Sequence, residues 1–305
     1  MAATLTRRLM SLAAPLWVIA GFYGAWMYVH HYDLYRGFPP PTEPAGIPHG
    51  RLEKIGFYSP ALGQQRHYLV YLPPRYTSAR RYPVLYLLHA PAGKALNYVY
   101  AGGLGVRVDK LLARRAIRPF ITVIPEGHTG VFGSDHQWAN ARDGRYEDFV
   151  LDTVRAVDSR WSTLADRDAR MLAGLSAGGY GAVNVALHHL DVFGSFESWS
   201  GYFTQTPTLT FRGASPAELR GNSPADYLGS VAPEIRRLGL HAYLYQGRKD
   251  DVPVSAMVDF GRRLRADGAQ VRMSAYGGKH NWALWRAHFS QMLRYASVVL
   301  HERSA

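Results

Sequence analysis

The sequence predicts an α/β fold, a mostly parallel central sheet with helices on both faces. Short apolar runs rich in β-forming residues recur along the chain, amphipathic segments of helical period separate them, and glycine-rich turns follow several of the runs. Strands and helices that alternate in this way build a parallel sheet covered on both sides.

The elements come in order. Residues 66–72 (RHYLVYL) alternate as a strand does, and 82–88 (YPVLYLL) and 120–124 (FITVI) are short apolar runs. Between the last two, 106–116 has helical spacing; 146–161 follows as an amphipathic helix with Phe149, Val150 and Val154 turned inward. Beyond it, 169–173, 195–200, 241–245 and 271–276 read as strands, and 177–189, 254–266 and 282–300 as helices. Glu147 and Asp148 open their helix where acids favour the dipole, a structural role.

Ahead of these elements, 21 positions from Leu9 to Val29 carry no charged side chain, about 30 Å of helix and one bilayer core. Arg7 and Arg8 precede the run and Trp26, Tyr28 and Tyr32 crowd its far end, which predicts a membrane anchor with the bulk of the chain outside the cytoplasm. A cleaved signal peptide is the rival, opposed by poor small-residue cleavage sites and a long apolar run. A proline-rich stretch from Gly37 to Pro48 reads as an extended, semi-rigid spacer. The expected organisation is an anchor or signal over 1–30, a linker over 31–49 and one folded domain over 50–305.

Composition narrows the chemistry. With 305 residues, 47% of them hydrophobic, and no cysteine, the chain can bury a core but can form neither disulfides nor thiolate metal sites. No cofactor and no metal is expected. The net charge is +12 (35 basic less 23 acidic residues), eleven units of it after residue 50. No helix-turn-helix, zinc-finger or RNA-binding motif accompanies that charge, so anionic lipid is a better expected partner than nucleic acid.

Gly174-Leu175-Ser176-Ala177-Gly178 fits G-x-S-x-G, in which small flanking residues let a strand turn sharply into a helix and expose the serine hydroxyl. That hydroxyl needs a base to take its proton and an acid to orient the base, in the chain order Ser, Asp or Glu, His. Asp250 and Asp251 follow the strand ending at Tyr245, and His280 follows the strand ending at Tyr276. Carboxyl ends of parallel strands share one edge of the sheet, so Ser176, one of the two aspartates and His280 are expected to converge there. Trp138, Tyr202, Phe203, Trp282 and Trp285 are candidates for the wall of a substrate pocket.

Tyr86-Leu87-Leu88-His89, the stretch 174–181, Ser198-Trp199-Ser200-Gly201-Tyr202, Gly247-Arg248-Lys249-Asp250 and Gly278-Lys279-His280-Asn281-Trp282 together resemble the putative-esterase family of α/β hydrolases, which includes esterase D, feruloyl esterases and mycolyltransferases. The resemblance runs from about residue 50 to 300 and implies an α/β-hydrolase fold with Ser176 as nucleophile, His280 as general base and Asp250, by the Gly-x-x-Asp spacing, as the orienting acid. Where the family commonly has Leu-Leu-His-Gly, this chain has Leu88-His89-Ala90-Pro91-Ala92-Gly93. Proline has no N–H, so Pro91 in the donor position would leave the oxyanion hole to Ala177 and, by a one-residue shift, Ala92.

The expected function is a serine esterase acting on a small-molecule or lipid acyl ester outside the cytoplasm. Two other functions fit the same sequence: a cell-envelope acyltransferase using the same three residues, and a non-catalytic envelope-binding protein of the same fold.

Overall fold

Parallel strands hydrogen-bonded on both sides and covered on both faces have no polar face to show, and the sequence meets that requirement at the centre of the sheet. A computed structural model describes residues 17–91, 93–127 and 136–302. It opens on helix α1, residues 17–28, continued by a wider helical turn at Val29–Leu34. There follow β1 (Arg51–Ser59), β2 (Gln64–Leu72), β3 (Val84–Leu88), α2 (Ala95–Tyr100), α3 (Leu104–Ala113), β4 (Ile121–Pro125) and a two-residue pair β5 (Asn140–Ala141) and β6 (Gly144–Arg145). The second half runs α4 (Tyr146–Arg160), β7 (Arg170–Leu175), α5 (Ala177–His188), β8 (Ser195–Trp199), α6 (Pro216–Gly221), α7 (Pro224–Leu238), β9 (His241–Lys249), α8 (Val254–Ala266), β10 (Gln270–Lys279) and α9 (Trp282–Glu302).

Eight strands form one sheet in the order β1-β2-β4-β3-β7-β8-β9-β10. The pairs β1–β2 and β2–β4 are antiparallel, and every pair from β4 to β10 is parallel. Because side chains alternate along a strand, β3 serves both faces. Val84, Tyr86 and Leu88 join a core with residues of α4, α5, α7 and α8, whereas Leu85 and Leu87 join a second core with α3 and α9. The α/β architecture expected from the sequence is the one found, and every predicted strand and helix beyond residue 60 has its counterpart.

Glu147 does more than favour a helix dipole. It is buried, and it meets His188 Nδ1 at 3.0 Å and His189 Nε2 at 2.8 Å. Burial pushes its carboxyl up, but the bonds and charges of the two histidines outweigh that and hold it at about 2. For His188, burial acts downward and the Glu147 contact wins, so it lies above its ordinary 6.5. The carboxyl therefore adds stability above its ordinary 4.5, lost as pH falls toward 2, and the imidazole adds stability below 6.5, lost as pH rises through its raised value. We expect this cluster to stabilise the fold most between pH 4.5 and 6.5, and Glu147→Gln to lower the urea midpoint within that window and to flatten its fall on either side of it.

The N-terminal expectations fare differently. Among the described residues no helix is long and apolar enough to cross a membrane, and residues 9–16 of the expected span lie outside them, so a transmembrane helix is not supported. The segment read as a spacer lies along the domain: Lys94 Nζ pairs with Asp33 Oδ2 at 2.6 Å, the Tyr35 and Tyr100 rings are 5.1 Å apart, and the Arg286 guanidinium sits 4.8 Å from the Phe38 ring centre.

Candidate active site

Strand β7 ends at Leu175, and Ser176 turns the chain into α5 with φ 58° and ψ −123°, a conformation that a side-chain-bearing residue adopts only at a cost. Two glycines make the turn sterically feasible. A Cβ on Gly178 would lie 1.9 Å from the Leu88 carbonyl oxygen, and one on Gly174 2.2 Å from the Gly178 carbonyl oxygen. Alanine at 178 would gain about 1 kcal/mol of helix propensity and lose about 3 kcal/mol or more to overpacking against backbone that cannot swing aside. We therefore expect Gly178→Ala to lower the urea midpoint markedly or prevent soluble expression.

The exposed hydroxyl meets its partners at the carboxyl edge of the sheet. Ser176 Oγ is 2.7 Å from His280 Nε2, and His280 Nδ1 is 2.6 Å from Asp250 Oδ1. An ionised carboxylate only accepts, so Nδ1 carries the proton and Nε2 is left to accept from the serine hydroxyl. Burial pushes the Asp250 carboxyl up, but the His280 bond, the Ser200 hydroxyl and the nearby imidazole outweigh it and hold the acid below its ordinary value. Asp251 is exposed and sends only its amide to Asp250 Oδ1, at 2.8 Å. Of the two aspartates left open by the sequence, the structure brings Asp250 to His280.

Around this array lies an open cleft of about 470 Å³ whose lining includes Pro91, Ser176, His280, Trp282, Trp285 and Arg36. Trp282 is thus where the sequence put it, but Trp138 and Tyr202 face elsewhere. The Trp138 indole is buried and donates to the His89 carbonyl at 2.8 Å, fastening the loop after β3. Tyr202 stacks on Tyr180 at 5.0 Å and donates to Gln137 Oε1 at 2.6 Å.

That loop is held from both sides of its histidine. His89 Nδ1 lies 2.9 Å from the Ala90 carbonyl oxygen, and Nε2 lies 3.2 Å from the Gly127 amide nitrogen and 3.3 Å from Glu126 Oε1. The Gly93 amide closes a turn on the Ala90 carbonyl at 3.0 Å, which puts Pro91 at the second position of a four-residue turn, where its fixed φ is favourable. Pro91 therefore has a local structural reason. Ala92 lies outside the described residues, and Ala177 is the first residue of α5.

Ser200, which the sequence reading gave no role of its own, and Trp285, which it read as a pocket-wall candidate, act here as positioning residues. Ser200, just past β8 with φ 53°, accepts from the Trp285 indole at 3.0 Å, and Trp285 meets the His280 ring edge-on at 5.2 Å. Together they support the imidazole and the acid from behind. Ser200 sits just past a strand's carboxyl end in one of the family-like motifs, and that position is the signal that marks it. Among the described residues no group of three or more His, Asp or Glu is placed to hold a metal ion.

A serine, histidine and buried aspartate in hydrogen-bond sequence above a parallel sheet make up the constellation of a serine hydrolase. The chain belongs to the putative-esterase family, whose model matches residues 59–296. It is 32% identical over 163 residues to an endo-1,4-β-xylanase/feruloyl esterase of Xylanibacter ruminicola, covering 51% of this chain and 22% of that one. It is also 33% identical over 155 residues to an esterase of Mycobacterium tuberculosis, covering 50% and 32% of the two chains. The match thus spans a third or less of either relative. Among solved structures, a ferulic acid esterase superposes with a TM-score of 0.73 at 21% identity over 83% of this chain and 99% of that one. An S-formylglutathione hydrolase of Staphylococcus aureus superposes at 0.66 with 19% identity over 82% and 99%, and both likenesses speak to the fold.

Proposed function

We propose that the chain is a serine esterase that cleaves carboxylic esters through an acyl-enzyme on Ser176. The observation that carries the reading is the unbroken array from Ser176 Oγ through His280 to buried Asp250, at 2.7 Å and 2.6 Å. Ser176 Oγ attacks the ester carbonyl as its proton passes to His280 Nε2. Asp250 stabilises the imidazolium, and the Ala177 amide, at the positive end of α5, donates to the developing oxyanion. The imidazolium then protonates the departing alcohol. Water, deprotonated by the same nitrogen, attacks the acyl-enzyme and frees Ser176.

Relatives named as esterases and a feruloyl esterase support an ester as substrate. A cleft open to solvent, with His280 about a fifth exposed, supports water as the acceptor over a second alcohol. Product analysis on an aryl ester, with and without an added alcohol, tests the reading. Free acid is expected in both; a transesterified product dominating at modest alcohol concentration would make the protein an acyltransferase, and no turnover at all would make it a binding member of the fold.

We further propose that the catalytic domain works outside the cytoplasm against a lipid surface. The apolar run at 9–29, the exposed Trp17, Phe22, Tyr23 and Trp26 of α1, and the net charge of +12 support it. Removal of residues 1–28 is expected to release the protein from the membrane fraction; retention there would refute it.

A further inference from the structure

Residues 39–42, α3 and α9 enclose an open cavity of about 590 Å³. Five cationic side chains line it: Arg107, Lys110 and Arg114, a turn apart along α3 and its C-terminal cap, and Arg286 and Arg294, two turns apart on α9. Like charges at the spacing of the α3 row weaken a helix unless an anion answers them. Among the described residues no carboxylate pairs with any of the five. Asp109, the one acid of α3, is taken by the Tyr71 hydroxyl, by the Gly50 amide at 3.0 Å and by His49 Nδ1 at 3.2 Å. Helix α9 has no acid before its last residue, Glu302, and Glu43 lines a different cavity, with His49 and Asp109.

The partners these cations do have are neutral. Arg107 donates from Nε to the Gly102 carbonyl at 2.8 Å and from Nη1 to Ser290 Oγ at 2.9 Å. Arg286 Nη1 donates to the Ala101 carbonyl at 2.9 Å, and its guanidinium lies over the Phe38 ring. Lys110 Nζ and Arg294 Nη1 lie 3.5 Å from the carbonyls of Thr42 and Ala116. The two half-buried guanidinium groups are thus fixed with donors to spare, since each fork carries five. Burial lowers the pKa of both, and Arg286 lowers that of Arg107 further, as two cations side by side without a counter-charge must.

Fixed guanidinium forks and an ammonium around one hollow match the oxygens of a phosphate, which accepts several charge-assisted hydrogen bonds at once. We propose that this cavity binds a phosphate group, presented by an anionic lipid headgroup. Position argues for that source. Residues 39–42 continue the chain from α1, whose Trp17, Phe22 and Trp26 are exposed, and Arg286 adjoins Trp285, which lines the catalytic cleft. A headgroup held here seats the cleft at the membrane surface. The phosphate site stands apart from the esterase reading, whereas the headgroup as its source deepens the lipid-surface reading and rests on it.

The test offers the full chain vesicles of phosphatidylcholine and vesicles of phosphatidylcholine with phosphatidylglycerol in one mixture. Beside it run a Lys110→Gln/Arg114→Gln/Arg294→Gln variant and, as a control of equal charge, Arg80→Gln/Arg81→Gln/Arg220→Gln, whose side chains are exposed elsewhere. The unaltered protein and the control should prefer the phosphatidylglycerol vesicles, and the preference should fall about 5-fold for each cavity charge removed. Inorganic phosphate, against chloride at equal ionic strength, should raise the melting temperature of the unaltered protein and the control but not of the cavity variant.

Equal losses of preference in the two triple variants, or no stabilisation by phosphate beyond that by chloride, overturn the proposal. Stabilisation by phosphate with a vesicle preference that survives in the cavity variant overturns the headgroup and assigns the cavity to a soluble phosphate compound. Binding to neither kind of vesicle overturns the lipid-surface reading and the headgroup together, and ester hydrolysis decides the esterase reading separately. Should the triple variant fold poorly, Arg114→Gln alone, which removes an exposed side chain with no hydrogen bond or ion pair among the described residues, is still expected to lose about 5-fold.

Discussion

Ser176→Ala is expected to abolish ester hydrolysis, lowering kcat by about 10⁶-fold, and His280→Ala to reach the same residual rate. The two side chains act as one device. The hydroxyl is a weak nucleophile until Nε2, at 2.7 Å, takes its proton, and the imidazole has nothing to activate once the hydroxyl is gone. The double variant should therefore be no slower than either single one. Substrate binding draws on the cleft walls, so KM should change little. Steady-state kinetics on 4-nitrophenyl butyrate, with circular dichroism to verify folding, checks this; a double variant much slower than both singles would mean that the two residues act independently.

The second large effect is at the acid. Asp250→Asn keeps the volume but puts an amide against His280 Nδ1, which favours the wrong tautomer and leaves the imidazolium without its partner, so kcat should fall by about 10⁴-fold. Asp251→Asn should change kcat little, because the exposed Asp251 carboxylate is no part of the array and its amide bond to Asp250 survives the substitution. The contrast is informative because the two residues are adjacent and carry the same charge, so a general electrostatic effect would weaken both alike. Equal losses in the two variants would remove Asp250 from its assigned role.

Much of this was readable in the chain, for identifiable reasons. The central strands are buried on both faces and so appear as unbroken apolar runs, VLYLL in β3 being the clearest. Ser176, Asp250 and His280 each follow such a run, and a parallel sheet brings the carboxyl ends of its strands to one edge whatever the sequence separation. Edge strand β1 was not read because its RLEKIGFYS mixes charges with apolar residues and its pairing depends on β2. Helix α7 was not read either: it begins at Pro224 and carries Pro233 inside, which interrupts the local signal. Trp138 and Tyr202 were placed at the cleft from chain position alone, yet an indole N–H and a phenol hydroxyl seek acceptors, and both rings turned to find them. Ser200 and Trp285 are 85 positions apart in sequence and meet only in the fold. Arg36 sits in a segment whose prolines suggested a free spacer; the buried Asn97 that docks it is 61 positions away, beyond any periodicity argument.

The most direct test of the central claim is to treat the protein with a fluorophosphonate and map the adduct by peptide mass spectrometry. A serine is phosphonylated at a useful rate only when a base activates it and an oxyanion hole receives the developing charge. The account predicts a single adduct, on the peptide carrying Ser176, absent after Ser176→Ala and strongly slowed after His280→Ala. An unlabelled protein, or an adduct on another serine that persists in Ser176→Ala, would contradict it.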